Sequence, residues 1–191
     1  MIAGGRKKID ITEFGKIVLH NKQVSISSSA LAEVKRSYEF LKVFSKGKLI
    51  YGINTGFGPM AQYRIDDADL KQLQYNLVRS HSSGMGRVMS PVQTRALMLA
   101  RLNTMMLGYS GIHPDTVKLL ADLINNEAYP CIYTHGGVGA SGDLVQLAHL
   151  ALGLIGEGEF YFNGKITPAK NVYKALGLKP MEVHIREGLS I

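Results

Sequence analysis

The sequence contains no tryptophan, a single cysteine and no long run of apolar residues. Cys131 has no partner for an internal disulfide, which fits a reducing, cytoplasmic compartment. A membrane span needs about 18 consecutive apolar residues, and the opening MIAGGRKKID lacks the apolar stretch of a signal peptide. Charged residues are sparse, at 19% against 46% hydrophobic, so the chain reads as globular rather than disordered. Its 191 residues suit one domain or part of a larger one. Acidic residues are the minority, giving a net charge of +7, but the excess is local: residues 1–50 hold ten Lys and Arg against four Asp and Glu. The rest is nearly neutral, and the basic residues are scattered over solvated helix faces without the clustering that phosphate backbones require, which argues against a nucleic-acid partner. The histidines at 20, 113, 149 and 184 lie far apart and show no metal-ligand spacing. Each Gly-Lys pair, at 15, 47 and 164, is followed by an apolar residue, so no phosphate loop is present.

What the chain does have is glycine, 21 residues, concentrated in two stretches, GINTGFGPM and HGGVGASG. Around them the pattern is mainly helical. Ser27–Ser29 offer N-caps to a helix with an apolar stripe at Leu31, Val34, Tyr38, Leu41 and Phe44, ended by Gly47. Residues 49–51 read as a short strand entering the first glycine loop. A second helix follows Asp66, with Leu70, Leu73, Leu77 and His81 on one face, and stops at Gly84. Ser90 followed by Pro91 starts a third, which runs to Gly108. His113 and Pro114 open a fourth through Ile124. A very apolar helix spans 143–155. Asn163 and Gly164 suit a type I′ turn joining strands at 159–162 and 165–167, and Thr167 and Pro168 begin a last short helix stopped by Gly177. The expected fold class is mainly α with a small β element.

Chemistry is concentrated in the stretch 135–144, HGGVGASGDL, which admits two readings. Gly137, Gly139 and Gly142 match the GxGxxG dinucleotide pattern. However, Thr134, His135 and Gly136 separate it from any apolar strand, and Glu157 and Glu159 precede the next strand rather than ending it. The second reading concerns Ala140, Ser141 and Gly142. Flanking glycines let the chain fold tightly enough for the Gly142 nitrogen to reach the Ala140 carbonyl carbon. Loss of water from the new ring, and of the Ser141 hydroxyl as a second water, leaves a conjugated exocyclic methylene. The product is an electrophile made from backbone, at a helix start whose N–H groups stabilise the electron density it accepts. Taken alone, Ala-Ser-Gly is a common loop sequence.

Context gives the tripeptide its meaning. YGINTGFGPMAQYRI, LQYNLVRSHSSGMG, ARLNTMMLGYSG and GGVGASGDLVQLAHLALGLIGEGE resemble, in order and spacing, the N-terminal part of the aromatic amino acid ammonia-lyase family, over nearly the whole chain from Val24. GFGPMAQYRI, RSHSSG and HGGVGASGDLVQL are most similar to tyrosine ammonia-lyases of flexirubin-type pigment pathways. The resemblance implies the N-terminal portion of the ammonia-lyase (fumarase/aspartase-like) fold over 1–191, without its central helical bundle. It implies a 4-methylideneimidazol-5-one (MIO) group formed autocatalytically from Ala140, Ser141 and Gly142, with no external cofactor. The substrate's amino group would add to the methylene, a base would take a β-proton, and ammonia would leave to give a trans-unsaturated acid: p-coumarate from L-tyrosine, or urocanate from L-histidine.

By the same resemblance Tyr51 matches the family's catalytic tyrosine, a phenol of ordinary pKa about 10 that needs help to act near neutrality. His81 matches a position that contacts the substrate side chain, where histidine disfavours phenylalanine. Gly58 lies in the mobile loop and permits close approach to substrate. Asp143 caps the helix or assists ring formation, and His135 precedes the glycine run without a required role. Family chains continue past this sequence into Asn-Gly-Thr, a carboxylate-binding Arg, a second catalytic Tyr and the long helices that assemble a homotetramer. The alternatives are a 2,3-aminomutase of the same chemistry, or a non-catalytic assembly fragment. The 191-residue piece alone is expected to be inactive, with apolar surface on helices 91–107 and 143–155 exposed or covered by another copy.

Overall fold

The computed structural model describes residues 2–4, 9–138 and 144–191. Its elements in order are β1 (Ile2–Gly4), α1 (Ile11–His20), β2 (Val24–Ile26), α2 (Ser28–Phe44), α3 (Leu70–His81), β3 (Met85–Val88), α4 (Pro91–Met105), α5 (Pro114–Asn125), β4 (Tyr129–Pro130), β5 (Tyr133–His135), α6 (Leu144–Leu154), β6 (Glu159–Phe162), β7 (Lys165–Pro168), α7 (Ala169–Leu176) and α8 (Glu187–Ser190). The helices carry the core and the strands serve as clasps: β1 pairs with β2 in parallel, β3 with β5 antiparallel, and β4, β6 and β7 form a small antiparallel sheet.

Local chemistry explains the helix starts. Ser27 Oγ accepts from the Ala30 N–H at 3.2 Å, and Ser90 and Gln93 form a reciprocal capping box with Pro91 in the first turn. His113 Nδ1 accepts from the Asp115 N–H to open α5. Asn163 and Gly164, both at positive φ, join β6 to β7 as the Asn-Gly pair predicts.

Three expectations are corrected. Residues 49–51 are not a strand. The Asn54 side chain accepts from the Ile50 N–H at 2.7 Å and donates to the Lys48 carbonyl at 2.6 Å, winding this stretch into a turn instead. On α2 the buried face is Ala30, Val34 and Tyr38, and Phe44 is exposed. On α4 and α6 the buried apolar face is the larger one, with Val92 and Leu144 the exposed large apolar side chains. Met98, Leu99, Leu102 and Met105 are buried where α4 packs on α1 and α5, as are Leu150, Ala151 and Leu154 where α6 meets α3. Further exposed apolar side chains lie on the end of α2, where the rings of Phe40 and Phe44 stack at 5.2 Å. α1, the β1–β2 pair, the β3–β5 pair and α8 have no counterpart among the expected elements.

The chain's last described stretch is anchored by a buried carboxylate. Glu187 Oε1 accepts from the His113 N–H at 3.1 Å, and Oε2 accepts from the His184 N–H at 2.7 Å and the Arg186 N–H at 3.3 Å. The His113 and His184 rings lie 4.3 Å apart, with Tyr38 edge-on to His113 at 4.8 Å. Burial, and the neighbouring His184, push the His113 pKa below its ordinary 6.5, and burial lowers that of His149 as well. In the unfolded chain these rings take up a proton at a higher pH than in the folded one. Their contribution is therefore present at neutrality and lost as pH falls below the ordinary histidine value. The urea midpoint should drop between about pH 7.5 and about pH 5.5, and His113→Asn should narrow that drop.

Candidate functional site

Tyr51, Gly58 and His81, separated by up to thirty positions in sequence, line one cavity of about 270 Å3. Its walls come from the glycine loop (Tyr51, Phe57, Gly58), from α3 (Leu77, Val78, His81), from α4 (Arg101), from α6 (Leu144, Leu147, Ala148, Ala151) and from the closing stretch (Gly188, Leu189, Ile191). Leu144, which directly follows the segment 139–143, is on that wall. Ala140, Ser141, Gly142 and Asp143 lie outside the described residues.

Each element presents its side chain for a local reason. The Tyr51 ring stands edge-on to Phe57, centroids 5.7 Å apart, and is half exposed toward the cavity. Gly58 sits at φ +54°, a backbone state that a side chain would strain, with no atom within 4 Å of where a Cβ would lie. In this state the glycine is required by the turn, while the space beside it remains open. His81 ends α3, where its Nδ1 lies 3.0 Å from the Leu77 carbonyl and 3.1 Å from Ser80 Oγ. A carbonyl only accepts, so a neutral His81 carries its proton on Nδ1, and Nε2 keeps a free lone pair.

Two residues that sequence reasoning did not single out complete the frame. Gln74 is fully buried on α3; its Nε2 donates to the Gly52 carbonyl at 3.2 Å and its Oε1 accepts from the Gly188 N–H at 3.0 Å. One amide thus joins three walls of the cavity. Arg101 brings a charge to an otherwise apolar wall. Its Nη2 donates to the Ser190 carbonyl at 2.6 Å, and burial lowers its pKa, though a guanidinium stays charged at neutrality. The signal for Arg101 was available as an arginine inside the apolar run MLARLNTMM. Gln74 had none, because a buried glutamine looks like a surface one until its partners are placed.

Other candidates lie elsewhere. His135 is exposed, hydrogen-bonds Thr134 Oγ1 at 3.0 Å and packs on Gly86 rather than lining the cavity. Among the described residues no group of three His, Cys, Asp or Glu is placed to hold a metal ion, and no helix is long and apolar enough to cross a membrane.

A helical scaffold carrying a tyrosine, a histidine and the start of α6 around one small cavity defines the class, and the comparisons with known proteins give the family. Residues 9–191 match the family described as aromatic amino acid lyase. The chain is 40% identical over 186 residues to histidine ammonia-lyase of Deinococcus radiodurans, covering 97% of this chain and 36% of that protein. It is 40% identical to histidine ammonia-lyase of Myxococcus xanthus over 100% of this chain and 37% of that one. Among solved structures it superposes on ergothionase of Treponema denticola with a TM-score of 0.95 at 31% identity, covering 100% of this chain and 38% of that one. The tyrosine aminomutase of Streptomyces globisporus gives 0.91 at 31%, covering 99% and 36%. The histidine ammonia-lyase of Trypanosoma cruzi gives 0.88 at 31%, covering 98% and 37%. The chain belongs to the aromatic amino acid lyase family, and its mainly helical architecture is that of the N-terminal part of the ammonia-lyase fold. It spans little more than a third of the length of these relatives.

Replacing Gln74 by Leu leaves the Gly52 carbonyl and the Gly188 N–H without partners. Urea unfolding should show a loss of about 1–3 kcal/mol for each group left unpaired.

Proposed function

We propose that the full-length protein eliminates ammonia from an aromatic L-amino acid, using an MIO group formed from Ala140, Ser141 and Gly142. The observation that carries this reading is the convergence of Tyr51, Gly58, His81 and Leu144 on a single cavity. When formed, the ring supplies an electrophile to which the substrate amine binds. The residues present suit it. In sequence the tripeptide is one residue, Asp143, ahead of α6, whose first described residue is on the cavity wall, and a helix N-terminus favours electron density of the kind the ring gathers. Tyr51 is the base for the β-proton, held at the mouth of the loop against Phe57. The guanidinium of Arg101 favours an anionic ligand over a neutral one.

His81 supports a particular substrate type. With Nδ1 committed to the Leu77 carbonyl, its Nε2 accepts, so the ligand ring must donate. A phenol O–H or an imidazole N–H can do so, and a phenyl ring cannot. The resemblance of GFGPMAQYRI, RSHSSG and HGGVGASGDLVQL to tyrosine ammonia-lyases supports L-tyrosine as first choice. The histidine ammonia-lyases among the relatives support L-histidine as the second. Likeness to the tyrosine aminomutase favours a second reading, in which the same residues serve a 2,3-aminomutase that returns the ammonia to the β-carbon. We place the protein in the cytoplasm as a homotetramer completed by chain beyond these residues.

The full-length protein, given L-tyrosine and L-histidine separately, should produce ultraviolet absorbance from p-coumarate or urocanate; a β-amino acid product instead would favour the mutase. Ser141→Ala should abolish turnover and keep the subunit at its full sequence mass, whereas wild type should be lighter by two waters. Tyr51→Phe should lower kcat by about 10²–10⁴. The 191-residue chain alone should show no turnover.

A further inference from the structure

The flanks of the segment 139–143 are packed on one point, Gly84. A Cβ on Gly136 would fall 3.2 Å from the Gly84 Cα and 2.8 Å from Val145 Cγ1; one on Gly84 would fall 3.1 Å from Val145 Cγ1 and 2.8 Å from His149 Nε2. Residues 84, 136 and 145 therefore meet with no space for another carbon atom. The polar tie in this contact is the Gly84 N–H, which donates to His149 Nε2 at 3.0 Å. His149 is one helical turn beyond Val145 on α6, is 7% exposed, and is braced by the Tyr133 ring at 5.1 Å. Tyr133 itself begins β5, the strand that leads into the segment. Burial lowers the His149 pKa, which keeps the ring in the neutral form able to accept.

We propose that His149 is a positioning residue for ring formation: by accepting the Gly84 N–H it holds α6, the flank after the 139–143 segment, to Gly84, on which Gly136 of the flank before it is packed, and so fixes the separation from which the condensation starts. The inference rests on the reading that Ala140, Ser141 and Gly142 form the MIO group. The reaction joins the Gly142 nitrogen to the Ala140 carbonyl carbon. The Ala140 oxygen leaves as water with the N–H protons of Gly142 and Ser141, and a second water takes the Ser141 hydroxyl and its Cα proton. No oxidant or reductant enters. Such an intramolecular step is governed by how closely the reacting atoms are held before reaction. A clamp that ties the helix after the segment to Gly84, on which Gly136 before it is packed, acts on that distance. His149 does not face the cavity that holds Tyr51 and His81. It lines a separate cleft of about 330 Å3 with Gly84, Cys131 and Tyr133.

The test compares full-length wild type, His149→Leu and His149→Gln by intact subunit mass at matched times after synthesis, with circular dichroism and size-exclusion chromatography for fold and assembly. Leucine fills the space without an acceptor, and the glutamine Oε1 can take the place of Nε2. The fraction of subunits lacking two waters should fall by about fivefold or more in His149→Leu, the factor expected for one lost hydrogen bond, with fold and assembly unchanged. His149→Gln should restore most of it. A folded His149→Leu that loses both waters as fully as wild type overturns the proposal and leaves the functional reading standing. If His149→Leu fails to fold, His149→Gln decides: folded and cyclised supports the clamp, folded and uncyclised overturns it. A wild-type subunit at full sequence mass removes the ring itself, and the functional reading with it.

Discussion

A buried primary amide holds the candidate site together. Gln74 is enclosed on α3, and its two ends satisfy backbone groups that belong to stretches 22 and 114 positions away, Gly52 in the glycine loop and Gly188 in the closing helix. Backbone groups removed from water must be paired, and loops rarely pair themselves. A side chain with one donor and one acceptor at fixed separation meets both needs, and so fixes the distance between the loop that carries Tyr51 and the stretch that carries Leu189. The buried Glu187 carboxylate, gathering three N–H groups, fixes the other side of the same stretch. The stretches that wall the cavity are thus tied together by buried polar side chains that act as substitutes for a sheet.

The same device operates in the body of the domain. Arg95 on α4 is fully buried and donates to Asn21 Oδ1, to the Tyr129 hydroxyl at 2.9 Å and to the Lys22 carbonyl at 3.4 Å. Asn21 occupies the left-handed position that ends α1 and in turn donates to Glu127 at 3.2 Å, so the buried charge is linked to a carboxylate through an amide. Asn125 does similar work for β2, exchanging two bonds of 2.8 Å with the backbone of Val24. Desolvating such groups is costly unless they find partners; here the partners of Arg95 Nη1 and Nη2 come from elements far apart in sequence, while its Nε makes no hydrogen bond. Helix-on-helix burial supplies the driving force, and these ties select the arrangement.

That division decides what could be read from the sequence. Elements whose causes are local were legible: the Ser27, Ser90 and His113 starts, and the Asn163–Gly164 hairpin, each follow from residues within one turn of each other. The expected strand at 49–51 failed because its apolar triplet was outweighed by Asn54, whose side chain competes for the backbone. The β3–β5 pair, whose strands show no clear alternation, could not be found from period alone. For the site, resemblance supplied Tyr51, Gly58 and His81, and the fold brings all three to one cavity. Gln74 and His149 were invisible because their meaning lies in partners 22 to 114 residues away, whereas Arg101 stood out as a charge inside an apolar run.

His81 and His149 show how one residue type is put to different uses. His81 ends α3, where its Nδ1 shares the Leu77 carbonyl with Ser80 Oγ, and its ring is part of the cavity lining. His149 lies within a helix whose carbonyls are already engaged, so its ring reaches outward and spends Nε2 on the Gly84 N–H. The first geometry leaves Nε2 as an acceptor, and the second spends Nε2 on the backbone. The two rings differ in which nitrogen the backbone has already claimed, and sequence spacing alone carries no trace of that choice.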